Sequence, residues 1–326
     1  MKKILIIRFS SIGDIVLTTP VVRCVKEQIN NVEIHYVVKN QYRSILEKNP
    51  FISKVFSIEK DINEIVPALK KENYDHIIDL HKNLRSKHLI FKLGKQSSTF
   101  NKINFKKWII VNFKINLLPK IHIVDRYLQA ANFLNVKNDF NGLDYFIPTK
   151  DEIKITELPP THQKVFIGFV IGSKHITKQL PIKKTISICK KINQPIVLLG
   201  GKEDHEKAEI IKESVGDSIF NACGQFNINQ SASLVKQAYK IIANDTGLMH
   251  IAAALKKEII SVWGNTIPEF GMYPYFPKGE ENKSKILEIK NLSCRPCSKL
   301  GFKKCPKKHF DCMNKINEEE IVKFCE

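Results

Sequence analysis

Short, almost wholly apolar runs recur along this chain, and each leads into a longer stretch with amphipathic spacing. That alternation is the pattern of βα units feeding a parallel sheet, and it narrows the fold class to α/β. In the first half the runs at 4–7, 34–38, 55–58 and 77–80 read as strands, while 14–28, 62–71 and 122–134 carry helical spacing. The second half repeats the scheme, with strands expected at 165–171, 196–199, 241–243 and 259–262 and helices at 203–215 and 248–255. Between the halves, 148–163 is polar, proline-bearing and without periodicity, which marks a linker. A chain of 326 residues exceeds what one hydrophobic core usually serves. The expected division is therefore an N-terminal domain over 1–155, a second domain over 156–290, and a cysteine-rich tail over 291–326. Two open α/β sheets joined in this way are expected to hold ligand at the carboxyl ends of their strands, in a cleft between them.

The formal net charge is +19, which implies an anionic partner: nucleic acid, a membrane surface or a phosphorylated substrate. Lys2 and Lys3 ahead of an apolar run imitate an export signal, but Arg8 interrupts the run and no small-residue cleavage site follows. No stretch approaches the roughly 18 apolar residues of a membrane span. A cytosolic location is expected, with the cysteines reduced and clustered ones read as metal ligands before disulfides.

Two segments sit where strands give way to helices. Arg8-Phe9-Ser10-Ser11-Ile12-Gly13-Asp14 follows the first strand, with Gly13 suited to a tight turn and a carboxylate at the sheet's carboxyl edge. Asp14 is there either as a helix cap or as a functional group. The dinucleotide fingerprint G-x-G-x-x-G is absent. Asn244-Asp245-Thr246-Gly247-Leu248-Met249-His250 opens another helix, whose N–H groups suit a diphosphate. Asp245 or Thr246 could equally be a cap and His250 an ordinary helix residue.

Taken together, these two segments resemble the hallmark sequences of glycosyltransferase family 9, the heptosyltransferases of lipopolysaccharide core assembly. Further matches lie in order between them, at 79–86, 122–126, 178–181 and 199–203. The resemblance implies a GT-B fold, two Rossmann-like domains facing across a cleft, with the acceptor on the first and the nucleotide sugar on the second. It implies inversion at the anomeric carbon with no cofactor required for catalysis. Carried over by position, Asp14 matches the general base. Lys178, Glu203, Asp245, Thr246, Gly247 and His250 match donor-binding positions, and Ser10, Ser11, Gly13, Arg85 and Arg126 match the acceptor side. The implied partners are ADP-heptose and an anionic lipid-linked saccharide at the inner-membrane surface, with no nucleic acid. The protein is then cytoplasmic and peripherally associated with that membrane. Inversion is consistent with a carboxylate supplied opposite the departing diphosphate, and with lysine and N–H donors replacing a metal. A related enzyme using another nucleotide sugar, an epimerase on the same scaffold, and a basic nucleic-acid-binding protein are the alternatives.

Two features lie outside those matches. From 81 to 124 there are ten Lys or Arg and no Asp or Glu, interleaved with Phe91, Phe100, Phe105, Trp108 and Phe113. This is either a solvated basic face or a surface for anionic lipid headgroups, expected on the N-terminal domain. In the tail, Cys294, Cys297, Cys305, His309 and Cys312 have the spacing of a zinc knuckle. A structural zinc, reduced packed cysteines and disulfides are all open there.

Overall fold

The computed structural model describes residues 1–326. Contacts divide the chain into two compact units, one of residues 1–102 and 121–146, the other of 103–120 and 147–326.

The first unit is built on five parallel strands: β1 (Lys2–Ile7), β2 (Val32–Lys39), β3 (Lys54–Ile58), β4 (His76–Asp79) and β5 (Ser97–Thr99), in the order β3-β2-β1-β4-β5. Central β1 pairs in parallel with β2 on one side and β4 on the other. Its residues Ile4 to Ile7 are all buried, because helices cover both faces of a parallel sheet. Those helices are α1 (Ile12–Val16), α2 (Thr19–Gln28), α3 (Val66–Lys71) and α4 (Leu84–Leu93); α5 (Asn104–Phe113) and α6 (Ile123–Leu128) follow in the chain.

The helix expected over 14–28 is two helices. Pro20 has no N–H to donate, and Thr19 Oγ1 instead donates to the Val16 carbonyl at 2.7 Å, so the chain turns there. Over 122–134, α6 gives way to a 3₁₀ segment, Gln129–Leu134, that ends on left-handed Asn135. Gly13 lies inside α1 rather than at a positive-φ turn.

The second unit has six parallel strands: β6 (Ile167–Val170), β7 (Ile196–Leu199), β8 (Ile219–Asn221), β9 (Ile241–Asn244), β10 (Ile259–Trp263) and β11 (Ser284–Glu288), in the order β11-β10-β9-β6-β7-β8. Its helices are α7 (Ile182–Lys191), α8 (His205–Val215), α9 (Ile228–Gln237), α10 (Gly247–Ala254), α11 (Asp311–Asn314) and α12 (Glu318–Cys325). The tail is not an appendage: Cys312, Met313, Ile321 and Cys325 are buried in the same core as Phe169, Leu198 and Ile260.

The break in contacts falls at 146/147, and α5 belongs with the second unit although its neighbours in the chain belong to the first. The reason is local packing: Ile110 is buried against Ile267 and Phe270, and Lys107 lies over the Phe270 ring.

One buried ion cluster fastens the end of the first unit. Arg23 on α2 donates to Asp139 at 2.7 and 3.0 Å, to Asp144, and to the Gly142 carbonyl at 2.9 Å. Removing the cation strands two largely buried carboxylates. Arg23→Ala is therefore expected to cost about 3 kcal/mol or more of stability, read by urea denaturation. A loss below about 1 kcal/mol would show that water replaces the guanidinium.

Candidate functional site

In the first unit the site begins where β1 ends. Arg8 is the next residue, and it is buried. Its Nε donates to the Ser10 carbonyl at 2.7 Å, Nη1 to the Leu80 carbonyl at 2.5 Å, and Nη2 pairs with Asp14 Oδ1 at 2.7 Å. Burial is the largest influence and works against the charged guanidinium, but the Asp14 carboxylate together with Tyr127 and Tyr36 outweighs it and the pKa is raised. The other carboxylate oxygen, Asp14 Oδ2, accepts from Ser11 Oγ at 2.7 Å and Ser11 N at 3.3 Å, closing a capping box on α1. Asp14 is thus a cap as well as an ion-pair partner, and its side chain keeps 22% exposure. A carboxylate so fixed is held in one orientation, the geometry a group needs to take a proton from a bound hydroxyl.

His81 and Tyr127 border this pair. The His81 ring packs on Phe9, its Nδ1 is buried with no hydrogen-bond partner, and burial followed by the charge of Arg8 lowers its pKa to about 3. The imidazole is neutral at physiological pH. Buried Tyr127 lies under the Arg8 guanidinium and within electrostatic range of Asp14 and Arg126. Of the expected acceptor-side residues, Ser10, Ser11 and Gly13 lie beside Asp14, and Arg126 is within electrostatic range of Tyr127. Arg126 is buried, whereas Arg85 stands exposed in the first turn of α4. Arg8 and His81 are additions that spacing did not single out. The available signal was an arginine directly following a buried strand.

In the second unit, β9 ends at Asn244 and α10 starts at Gly247, with Thr246 as its N-cap. Asn244 Nδ2 donates to the Val170 and Ile171 carbonyls at 3.2 Å each, which ties the ends of β9 and β6 together. Asp245 pairs with Lys178 Nζ at 2.5 Å and accepts from Thr266 Oγ1 at 2.9 Å. Lys178, Asp245, Thr246 and Gly247 thus form one group at the N-terminus of α10, and His250 is buried one turn further on. Backbone N–H groups at this end, next to a lysine, are an arrangement for a phosphate.

Glu203 does not join that group; it is exposed and folds back over Gly201. Its neighbour Asp204 is the buried carboxylate, accepting from Gly201 N at 3.0 Å. Burial raises its pKa. A Cβ at Gly172 or Gly200 would collide with Asp204 Oδ2, at 2.8 Å for Gly200, so both turns need glycine.

The tail braces these loops. Arg295 donates to the Gly264 carbonyl at 2.6 Å and the Thr266 carbonyl at 2.8 Å, and pairs with Glu288 at 2.6 Å. The Phe302 carbonyl accepts from Thr177 N and Oγ1, and Phe302 N donates to Thr177 Oγ1, on the residue before Lys178. The expected zinc set is not assembled. Cys294 and Cys305 lie close enough to add to the burial that raises the pKa of Cys297 and Cys312, yet no three His, Cys, Asp or Glu groups converge as metal ligands. Cys294 Sγ and His309 Nε2 stand 3.8 Å apart, the Cys297 thiol donates to the Cys294 carbonyl at 3.1 Å, and Cys312 is turned into the core. All eight cysteines are free, and burial pushes Cys297 up to about 11 and Cys312 up to about 12.

Comparison with known proteins agrees on the fold and family. A solved Escherichia coli ADP-heptose lipopolysaccharide heptosyltransferase II superposes with a TM-score of 0.76 at 18% identity, covering 99% of this chain and 97% of that one. A family 9 glycosyl transferase from Veillonella parvula gives 0.78 at 21% identity, covering 99% and 95%. Among curated proteins, lipopolysaccharide heptosyltransferase 1 of Campylobacter coli is 26% identical over 99% of this chain and 97% of its own length. The model of glycosyltransferase family 9 (heptosyltransferase) matches residues 62–309. With most of its length matched and its two Rossmann-like units in the GT-B fold, the chain belongs to glycosyltransferase family 9 and is a glycosyltransferase.

Proposed function

We propose that this enzyme moves a heptose from ADP-heptose to a saccharide of the lipopolysaccharide core, inverting the anomeric centre. The relatives at 26% and 25% identity carry the names lipopolysaccharide heptosyltransferase 1 and lipooligosaccharide heptosyltransferase 2, which supports the sugar and the acceptor class. In this reading an acceptor hydroxyl attacks the anomeric carbon as the bond to the diphosphate breaks. Asp14 takes the hydroxyl proton, and ADP leaves with the bonding electrons.

The observation that carries the reading is the held carboxylate of Asp14, with Arg8 on one oxygen and Ser11 on the other. Arg8 keeps the group oriented, and neutral His81 adds no competing charge beside it. On the donor side, Lys178 and the N–H groups of α10 stabilise the leaving diphosphate, with Asp245 holding the lysine until the donor arrives. Glu203, exposed above Gly201, is assigned to the ribose, and Arg85 and Arg126 to acidic groups of the acceptor. No cofactor enters the scheme. No helix is long and apolar enough to cross a membrane. The lipid-linked acceptor of the proposed reaction is what assigns the enzyme to the cytoplasmic face of the inner membrane as a peripheral protein.

The test is nucleotide release from purified enzyme given ADP-heptose and a core acceptor, against the same enzyme given other nucleotide sugars. Turnover with other donors alone would reject the heptose assignment. Asp14→Asn is expected to lower kcat by about 10²–10⁴-fold with donor affinity little changed. Near-normal turnover would leave Asp14 as a helix cap only. Lys178→Ala is expected to lower kcat/KM for the donor by about 10²–10³-fold, and calorimetric ADP binding should weaken with it. Unchanged ADP binding would remove Lys178 from the diphosphate site.

A further inference from the structure

The acid-free, basic stretch beginning at residue 81 does not stay on one unit: its part from 103 to 120 packs with the second. There it meets another acid-free stretch, 289–310, which carries seven Lys or Arg. The joint is Lys114, whose ammonium donates to the carbonyls of Val111 at 2.7 Å, Pro296 at 2.8 Å and Cys294 at 3.2 Å. One face of α5 is buried through Ile110 against Ile267 and Phe270. The other presents a connected aromatic cluster. Phe105 stacks on Trp108 with centroids 6.1 Å apart, and Trp108 meets Phe113 edge-on at 5.3 Å. These three rings are 72%, 52% and 60% exposed, and Ile115 and Leu117 extend the apolar surface toward the tail. Leu300 and Phe302 are exposed on the tail itself, among Lys299, Lys303 and Lys304.

Exposed large apolar groups concentrated in one place mark a docking surface. Aromatics rimmed by lysine and lacking any acidic residue are complementary to an anionic lipid surface. The rings enter the headgroup region while the ammonium groups pair with phosphates. We infer that α5, the segment after it and the 289–310 tail form a composite surface that docks this enzyme on anionic membranes. The inference deepens the proposed function, since it rests on the acceptor being lipid-linked, and it moves the membrane contact to the second unit.

The sequence supplies a built-in probe. Of its two tryptophans, Trp263 is buried with Nε1 bonded to Ser261 Oγ at 3.0 Å, so Trp108 alone is placed to report on lipid. Vesicles containing phosphatidylglycerol should shift the emission to shorter wavelength and brominated lipid should quench it, whereas pure phosphatidylcholine should do neither. Trp108→Phe should abolish the signal and retain co-sedimentation. The triple variant Phe105→Ser, Trp108→Ser, Phe113→Ser should bind anionic vesicles about tenfold or more weakly, as should Lys303→Gln with Lys304→Gln, Lys307→Gln and Lys308→Gln. Transfer to a soluble acceptor fragment without acyl chains should be unchanged in both. Vesicle binding that leaves Trp108 unperturbed, or no preference for anionic lipid, overturns the inference. So does a Trp108 shift driven by protein concentration alone, which would mean a second copy, or stronger binding to RNA than to vesicles. Loss of soluble transfer in the unsubstituted enzyme would instead reject the proposed function and leave the docking result standing.

Discussion

A guanidinium buried at the end of a central strand has to find acceptors, and in this protein the first unit's site is arranged by the ones it finds. Arg8 takes carbonyls from Ser10 and Leu80, and so joins the loops that follow β1 and β4. Its remaining partner is Asp14. Removing a buried cation from such a set leaves acceptors stranded, which is more costly than the pairing is favourable. The arginine therefore fixes the loop, the loop fixes α1, and α1 presents the carboxylate. The orientation of Asp14 and the local fold rest on the same set of bonds.

The second unit reaches a comparable result by a different route. Its phosphate-type group depends on loops that the parallel sheet does not hold by itself. Those loops are braced from the tail, where Arg295 grips 264–266 and the Phe302 backbone grips Thr177. A cysteine-rich tail that looks like a separate metal module by spacing is, in three dimensions, part of the core and part of the wall beside Lys178. Cys312 and Cys325 are buried in that core, and burial raises the pKa of both thiols.

The strands expected from the sequence were legible because each holds an apolar run that is largely buried, and this includes edge strand β3. The edge strands β5, β8 and β11 were not. β5 reads Ser-Ser-Thr, and β11 is mostly half-exposed, so neither leaves a hydrophobic signature. The place of α5 was invisible for another reason: Ile110 meets Ile267 and Phe270 across a long sequence separation, and proximity in the chain pointed the other way. Of the residues in the hallmark segments, Lys178 and Asp245 are paired where strand ends are brought side by side. The sequence did not show that Glu203 would stay exposed over Gly201 while its neighbour Asp204 is buried and accepts from Gly201 N. Nor did it show that Arg8 is buried, since its acceptors lie on two different loops.

The split membership of the chain also bears on how the protein is made. Domains tend to fold as units in the order they leave the ribosome. The first unit, however, has α5 threaded between its parts, and the partners of α5 at Ile267 and Phe270 are synthesised much later. Until they emerge, Phe105, Trp108 and Phe113 hang from a nascent chain with nothing beneath them. The loops around Lys178 wait longer still, for Arg295 and Phe302. During synthesis the half that carries Asp14 can be complete while the second unit is unfinished, so the loops around Lys178 and Asp245 are set last.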